Sequence, residues 1–555
     1  MGCEFSGLGV SFQEAQRSTA SAASYPDASV VNKTVPDGAS LLGKPAPRID
    51  GHTEPLFMSA RVIASGPASA SPRDFWRVAG ALLPRCERLA PWVYFLTALP
   101  TVIFLTTLTP PFQTPDETNH FRRAVQILRG EIVGHDIQAP GWSGGQLPKN
   151  VGKVAESFSY LIGHPENKFS PEIMRDARAV PWNWTDREFT SFANTVIYPP
   201  PFYLPAVGAL AIARHLGWDV LDSYGLARLT TGIVAVLIAT TAIGLAANGR
   251  ALLFVLLSLP MSLYLFASVS QDALLIACTA LAMSLCSRAA GQERPLNAVE
   301  LAVVAVLLGA AMAARPPYVF LLAVLLTPIV RFGVRRTGTW ARFRPMVPVA
   351  TALAIGFGWI VFGATPSQTP MRLEAGVSIP EQARSMLWHP ASFPAALLNT
   401  LAGNFRTDVQ QSIGVLGWSD TPLSPNYYLL AGCALALAVI LAVFGRGRRV
   451  TAPWGVLLLA ALGLALVSVY AALYLSWTPV GAGYVDGIQG RYFLPAATLL
   501  AVALPAFGPV LAGSAPRVVA QAGLSLRSVA WLALFAMTVV SDLWLPRAVF
   551  ARYFG

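Results

Sequence analysis

Apolar runs of about 17–22 residues recur along this chain, each long enough to cross roughly 30 Å of hydrocarbon, and no other feature narrows its fold as much. In lipid a span must satisfy its own backbone hydrogen bonds, which favours helices. With 54% hydrophobic and 12% charged residues over 555 positions, and a mean hydropathy of +0.52, the chain is read as all-α, a polytopic helical bundle. Eleven spans are expected, near 91–109, 228–247, 251–268, 273–288, 297–314, 317–331, 346–364, 426–444, 454–475, 492–512 and 527–545.

Arginines set the orientation. Arg73, Arg77, Arg85 and Arg88 precede the first span, and the loops "RFGVRRTGTWARFR" (331–344) and "GRGRRV" (445–450) are equally basic, so all three segments are assigned to the cytoplasm. That assignment requires five crossings between Thr109 and Arg331. A further apolar segment, "VIYPPPFYLPAVGALAIAR" (196–214), would make six. Its three successive prolines and its closing Arg214-His215 place it in or along the outer interface instead. Loops 110–227, 365–425 and 476–491, with the turn at Asp272, then fall on the outer face.

The same distribution rules out nucleic acid as the partner behind the net charge of +11. The cations sit in short loops between apolar runs and build no docking face. The five cysteines show neither zinc nor disulfide spacing. Residues 1–72, rich in Ala, Ser and Pro without periodicity, read as a disordered cytoplasmic tail before a multi-pass domain of residues 73–555. "MGCEFS" matches a myristoylation signal only formally. The Ala/Gly/Arg-rich composition points to a bacterium, where that modification is not expected, and Met58 serves equally well as a start.

Chemistry-bearing residues gather just outside the first span, in "PPFQTPDETNHFRRA" (110–124). Thr114 as N-cap, Pro115 at the first helical position and Glu117 three residues on compose a capping box. On a helix starting at Pro115, Asp116, His120 and Arg123 follow at i, i+4 and i+7 and share a face. A carboxylate, an imidazole and a guanidinium together suit a general base beside a phosphate-binding or cation-binding neighbour. A second acid, Asp272, stands at a helix start where it or Ser270 would cap. Arg315 and Arg491 sit at outer ends of spans, as snorkelling residues or as bidentate phosphate clamps. Gln489 and Tyr492 add hydrogen-bonding groups beside Arg491. No G-x-S-x-G elbow or H-E-x-x-H occurs, "GGQLPKNVGKV" (144–154) fails as a phosphate loop, and Asn183-Trp184-Thr185 is a formal glycosylation sequon.

Five segments occur in a familiar order: "TPDETNHFRRAVQILRGEIVG" (114–134), "IYPPPFYLPAVGALAIARHLG" (197–217), "RLTTGIVAVL" (228–237), "LPMSLYLFASVSQDALL" (259–275) and "GIQGRYFLP" (487–495). Through them residues 90–545 resemble an uncharacterised family of bacterial polytopic membrane proteins, a domain-of-unknown-function family. That family in turn resembles the GT-C glycosyltransferases, which include oligosaccharyltransferases, protein O-mannosyltransferases and lipid A aminoarabinose transferases. The resemblance implies a large first extracytoplasmic loop with an acidic motif and juxtamembrane helices, a second acid after the third span, and a sugar donor on a polyprenyl phosphate or diphosphate. Asp116-Glu117 and Asp272 match the two acidic positions. No soluble C-terminal domain and no W-W-D-type motif is found, which counts against peptide acceptors.

The expected function is transfer of a sugar from a polyprenyl-phosphate donor to a glycan, lipid or cell-wall acceptor, at the outer face of the bacterial cytoplasmic membrane. Asp116 would be the base. Glu117 and Asp272 would position it or hold a divalent cation, Mg or Mn, through hard oxygen ligands. Arg491 and Arg315 would neutralise the leaving phosphate, with His120, Arg123, Gln489 and Tyr492 lining the substrate site. The rival readings are a transporter or flippase of lipid-linked glycans, disfavoured by spans almost free of acids, and a non-catalytic envelope-assembly protein.

Overall fold

The computed structural model of the protein describes residues 72–292, 294–330, 346–444, 449–508, 510 and 517–555. Nearly all of them belong to one unit, Phe75–Gly555. The expected tail, save its last residue, and most of the two arginine-rich loops lie outside the described residues.

The first long apolar helix is α1 (Cys86–Leu108). Residues 109–219 then carry α2 (Glu117–Leu128), α3 (Lys149–Glu156), α4 (Pro171–Arg178) and α5 (Leu204–His215). They surround an antiparallel sheet in the order β1 (His135–Asp136), β2 (Ser143–Pro148), β3 (Arg187–Ser191). Next come α6 (Val220–Leu245), α7 (Arg250–Leu257), α8 (Pro260–Phe266), α9 (Gln271–Gly291) and α10 (Ala298–Ala314), with a 3-10 run at Pro316–Leu326. The remainder is α11 (Val347–Ser367), α12 (Ile379–Trp388), α13 (Ser392–Gly414), α14 (Pro425–Val443), α15 (Ala452–Ser476), α16 (Gly490–Phe507, partly 3-10) and α17 (Leu526–Tyr553).

Among the described residues eight helices are long and apolar enough to cross a membrane: α1, α6, α9, α11, α14, α15, α16 and α17. Each coincides with an expected span. The other three expectations differ. The 251–268 run breaks into α7 and α8, because Pro260 opens α8 and leaves Leu259 extended. From Ala251 to Phe266 every residue is buried, so this run is bundle core. The 297–314 run is a 17-residue helix. The 317–331 run, entered through Pro316-Pro317, is 3-10 rather than α-helical over Pro316–Leu326. The 196–214 segment yields α5, whose 12 residues reach about 18 Å, short of a bilayer. Its Leu204 and Ile212 stay exposed.

Helix α9 is central, with 83% of its apolar window buried against 22% for α11. Its small residues Ala273, Ala277, Ala280 and Ala289 allow close approach, and it packs on α6 and α10. The 109–219 segment packs Phe112, Phe121, Leu147, Val154, Phe158 and Val196 into a second core, which Tyr224 of α6 joins. Of the phosphate-loop-like glycines, Gly144 and Gly145 lie in β2 and Gly152 in α3, and a Cβ at Gly144 would lie 1.9 Å from the Thr190 carbonyl oxygen. The end of α17 is tied to this segment as well. Arg552 pairs with Asp420 at 2.9 Å and donates to the carbonyls of Leu161, His164 and Asn167.

Candidate functional site

The start of α2 keeps only half of the expected capping box: Glu117 Oε2 accepts the Thr114 amide at 3.4 Å. The helix opens at Glu117, and Asp116 occupies the N-cap in a left-handed conformation, φ 61°, with no capping hydrogen bond from its side chain. The Thr114 hydroxyl is buried without a hydrogen-bond partner. Aspartate is among the few residues that tolerate this backbone region. The consequence is geometric: the Asp116 carboxylate meets Arg491 and Asn194 instead of the helix N-terminus.

Arg491 comes from the far end of the chain, at the entry to α16. Its position depends on Gly490, where a Cβ would lie 2.2 Å from the Ser412 amide nitrogen and 2.4 Å from the Asp408 carbonyl of α13. Arg491 Nη2 lies 2.5 Å from Asp116 Oδ2, Nη1 donates to the Pro115 carbonyl at 3.1 Å, and Nε lies 3.7 Å from Asp272 Oδ2. Arg315, in the break between α10 and the 3-10 run, pairs with Asp272 Oδ1 at 2.7 Å. The Tyr492 ring carries both guanidiniums, Arg315 at 4.1 Å and Arg491 at 5.5 Å from its centroid. Ser270, not Asp272, caps α9, accepting the Asp272 amide. That leaves the Asp272 carboxylate to its ion pairs.

His120 is buried beneath this cluster. Its Nδ1 is 2.7 Å from the Tyr203 hydroxyl and its Nε2 3.3 Å from Ser270 Oγ, with Tyr198 stacked on the ring. A neutral imidazole donates through one nitrogen and accepts through the other, so it ties α2 to the start of α9. Burial lowers it from 6.5 to about 4, against the opposing pull of Asp116 and Asp272. Burial also raises the Tyr198 and Tyr203 phenols above their usual range.

A histidine held neutral in the fold and free to protonate when unfolded makes stability fall with pH. The contribution is intact above 6.5 and lost as pH drops toward 4, on the order of 3 kcal/mol for a shift of this size. Melting temperatures measured across that window should therefore decline more steeply for wild type than for His120→Gln. Parallel declines would exclude His120 as the source.

Two expected site residues point elsewhere. Glu117 is fully buried and pairs with Arg228 Nε at 3.1 Å, while accepting the Val269 amide at 3.0 Å. Arg123 shares a buried side of α2 with His120, yet its donors go to Gln126 and to the carbonyls of Tyr198 and Ile132. Gln489 gives its carbonyl to the Tyr492 amide. Asp116, Glu117 and Asp272 do not fit a metal centre, since each carboxylate faces an arginine. Among the described residues no group of three or more His, Cys, Asp or Glu is placed to hold an ion.

The sequence reasoning passed over Arg228, Asn194, Tyr198, Tyr203 and Asp542. Arg228 was legible as a cation opening an apolar run, and the tyrosines as polar handles in "IYPPPFY". Asp542 lies inside α17 with both carboxylate oxygens buried.

Residues 96–500 match the model of a family described as a predicted membrane protein (DUF2142). All five ordered segments fall within that match. No curated protein and no solved structure matches the chain.

Proposed function

The chain belongs to the DUF2142 family of predicted membrane proteins, and for a polytopic member carrying this charge cluster we propose a glycosyltransferase activity with a polyprenyl-phosphate sugar donor. One observation carries the reading: two carboxylates and two guanidiniums from four separate segments, Asp116, Asp272, Arg315 and Arg491, meet in one largely buried cluster. Apart from pairing with one another, such groups suit a reaction in which negative charge develops on a leaving phosphate while a hydroxyl loses its proton. About eleven crossings, with the 251–268, 297–314 and 317–331 runs crossing as broken or shorter pieces, a GT-C-like arrangement, a cytoplasmic N-terminus and an outward-facing cluster in the bacterial cytoplasmic membrane complete the proposal. The orientation among these is supported by the arginine distribution.

In this scheme the acceptor hydroxyl oxygen bonds to the anomeric carbon as the bond from that carbon to the phosphate oxygen breaks. The polyprenyl phosphate leaves with the electron pair. The hydroxyl proton passes to Asp116, the cluster carboxylate with 26% of its side chain exposed. Arg491 and Arg315 stabilise the departing phosphate, and Tyr492 holds both guanidinium planes. Asp272, 3% exposed, keeps Arg315 in place.

Proteoliposomes loaded with polyprenyl-phosphate sugars bearing a radiolabel test the proposal, by reading label that leaves the lipid. Wild type should release it, and Arg491→Lys should be slower by roughly 10–10²-fold, because a point charge cannot reproduce the guanidinium fork. Turnover at the wild-type rate in Arg491→Lys would reduce Arg491 to a structural residue. A flippase of lipid-linked glycans is the second reading, favoured by the buried carboxylate of Asp542 within a span. Glycan crossing the vesicle with its label still on the lipid would support it.

A further inference from the structure

The cluster is charge-balanced as it stands. Asp116 and Asp272 offset Arg315 and Arg491, and His120 is neutral at ordinary pH. A phosphate entering this site adds negative charge to a poorly solvated place, so something must yield. Asp272 is poorly placed to do so, being 3% exposed and lying 2.7 Å from Arg315 and 3.7 Å from Arg491. Asp116 is better placed, because its side chain reaches solvent and its two oxygens have separate partners. Oδ2 faces Arg491, while Oδ1 accepts from Asn194 Nδ2 at 3.0 Å.

Asn194 is itself held firmly. Its Oδ1 accepts from Asn119 Nδ2 at 2.8 Å, and Asn119 Oδ1 accepts from Arg122 at 3.1 Å. Arg122 in turn donates to the Ser191 carbonyl at the end of β3. This chain runs from the sheet through α2 to Asp116 and does not involve Arg491. Arg491 Nε, meanwhile, is buried without a hydrogen-bond partner. Once Nη2 is released, Nε and Nη2 present the two-donor edge that a phosphate accepts.

Given a phosphate-linked donor, as in the transferase reading on which this rests, we propose that Asn194 is a positioning residue. It holds Asp116 while the donor's phosphate takes Arg491 from that carboxylate. The donor thereby uncovers the base, and the acceptor hydroxyl finds a proton acceptor only after the donor has bound. Asp272 stays with Arg315 throughout.

The test is equilibrium binding of polyprenyl monophosphate, without a sugar, to the full-length protein in detergent micelles. Asp116→Asn removes the competing charge but keeps a residue that tolerates the left-handed backbone, and it should bind the lipid phosphate about tenfold tighter than wild type. Asn194→Ala should bind it as wild type does, while lowering kcat for sugar transfer by about tenfold or more with the donor KM unchanged. Binding by Asp116→Asn at or below wild-type strength overturns the exchange. A raised donor KM with unchanged kcat in Asn194→Ala overturns the positioning role. Tighter binding by Asp116→Asn, with no transfer by wild type from any polyprenyl donor, would preserve the exchange and remove the transferase reading. Absence of lipid-phosphate binding in every variant removes both.

Discussion

Asp116→Asn is expected to lower sugar transfer by about 10²–10⁴-fold, the usual contribution of a general base, in a protein that still folds. Asparagine tolerates the left-handed backbone at φ 61° and retains an oxygen that can accept from Arg491 or Asn194, but it cannot take a proton at neutral pH. Arg491, 3% exposed, keeps Asp272 at 3.7 Å as a counter-charge, so loss of the Asp116 charge should cost less stability than breaking the Glu117–Arg228 pair. The informative measurement pairs label release from the lipid with a melting curve on the same preparation. Wild-type transfer by Asp116→Asn would leave the carboxylate as a counterion to Arg491 and nothing more. A collapse of the melting temperature alongside lost transfer would likewise remove the evidence for a base.

Glu117→Gln should fail in the opposite manner, through folding. Read as part of a capping box, Glu117 would tolerate glutamine well. In the structure Glu117, besides accepting the Thr114 amide, neutralises Arg228, which is 2% exposed and also donates to the Ala267 and Thr109 carbonyls. Removing one partner of a buried pair leaves an uncompensated charge and typically costs 3–5 kcal/mol. A large drop in melting temperature or in yield of folded protein is the expected result, with Arg228→Gln giving a similar loss. Glu117→Gln melting within a degree or two of wild type while losing transfer would return Glu117 to the catalytic group. The two neighbouring acids thus separate by experiment, one by rate and one by stability.

The sequence carried the class of fold and most of the cluster, for reasons that differ. Long apolar runs are local, so eight helices of spanning length were legible from hydropathy alone. The expected spans at 251–268, 297–314 and 317–331 do not appear as single helices of spanning length, because Pro260 divides the first, the second has 17 residues and Pro316-Pro317 opens the third as a 3-10 run, breaks that hydropathy does not register. Asp116, His120, Asp272, Arg315, Arg491 and Tyr492 drew notice as ionisable or aromatic residues beside apolar runs, and the fold brings them together. Their pairing was not legible, since the Asp116–Arg491 contact joins positions 375 residues apart. Helical periodicity put Arg123 with His120 but could not show that its donors go to Gln126 and to the carbonyls of Tyr198 and Ile132. The three-stranded sheet was missed because β1 has two residues and β2 contains two glycines, which carry no strand signal.

The separation between Asp116 and Arg491 also bears on biosynthesis. A chain threaded into a membrane segment by segment delivers Asp116 early, then Asp272 and Arg315, and Arg491 only after most of the bundle has been inserted. Until then the acid near the first helix has no cation to meet, and the α13 surface waiting for Gly490 is uncovered. Quality control that recognises exposed charge near the bilayer would therefore read an unfinished cluster as an unfinished protein. Arg491→Ala and Gly490→Ala should accordingly shorten the lifetime of the newly made chain in a pulse-chase, whereas Arg491→Lys, which keeps the cation, should not.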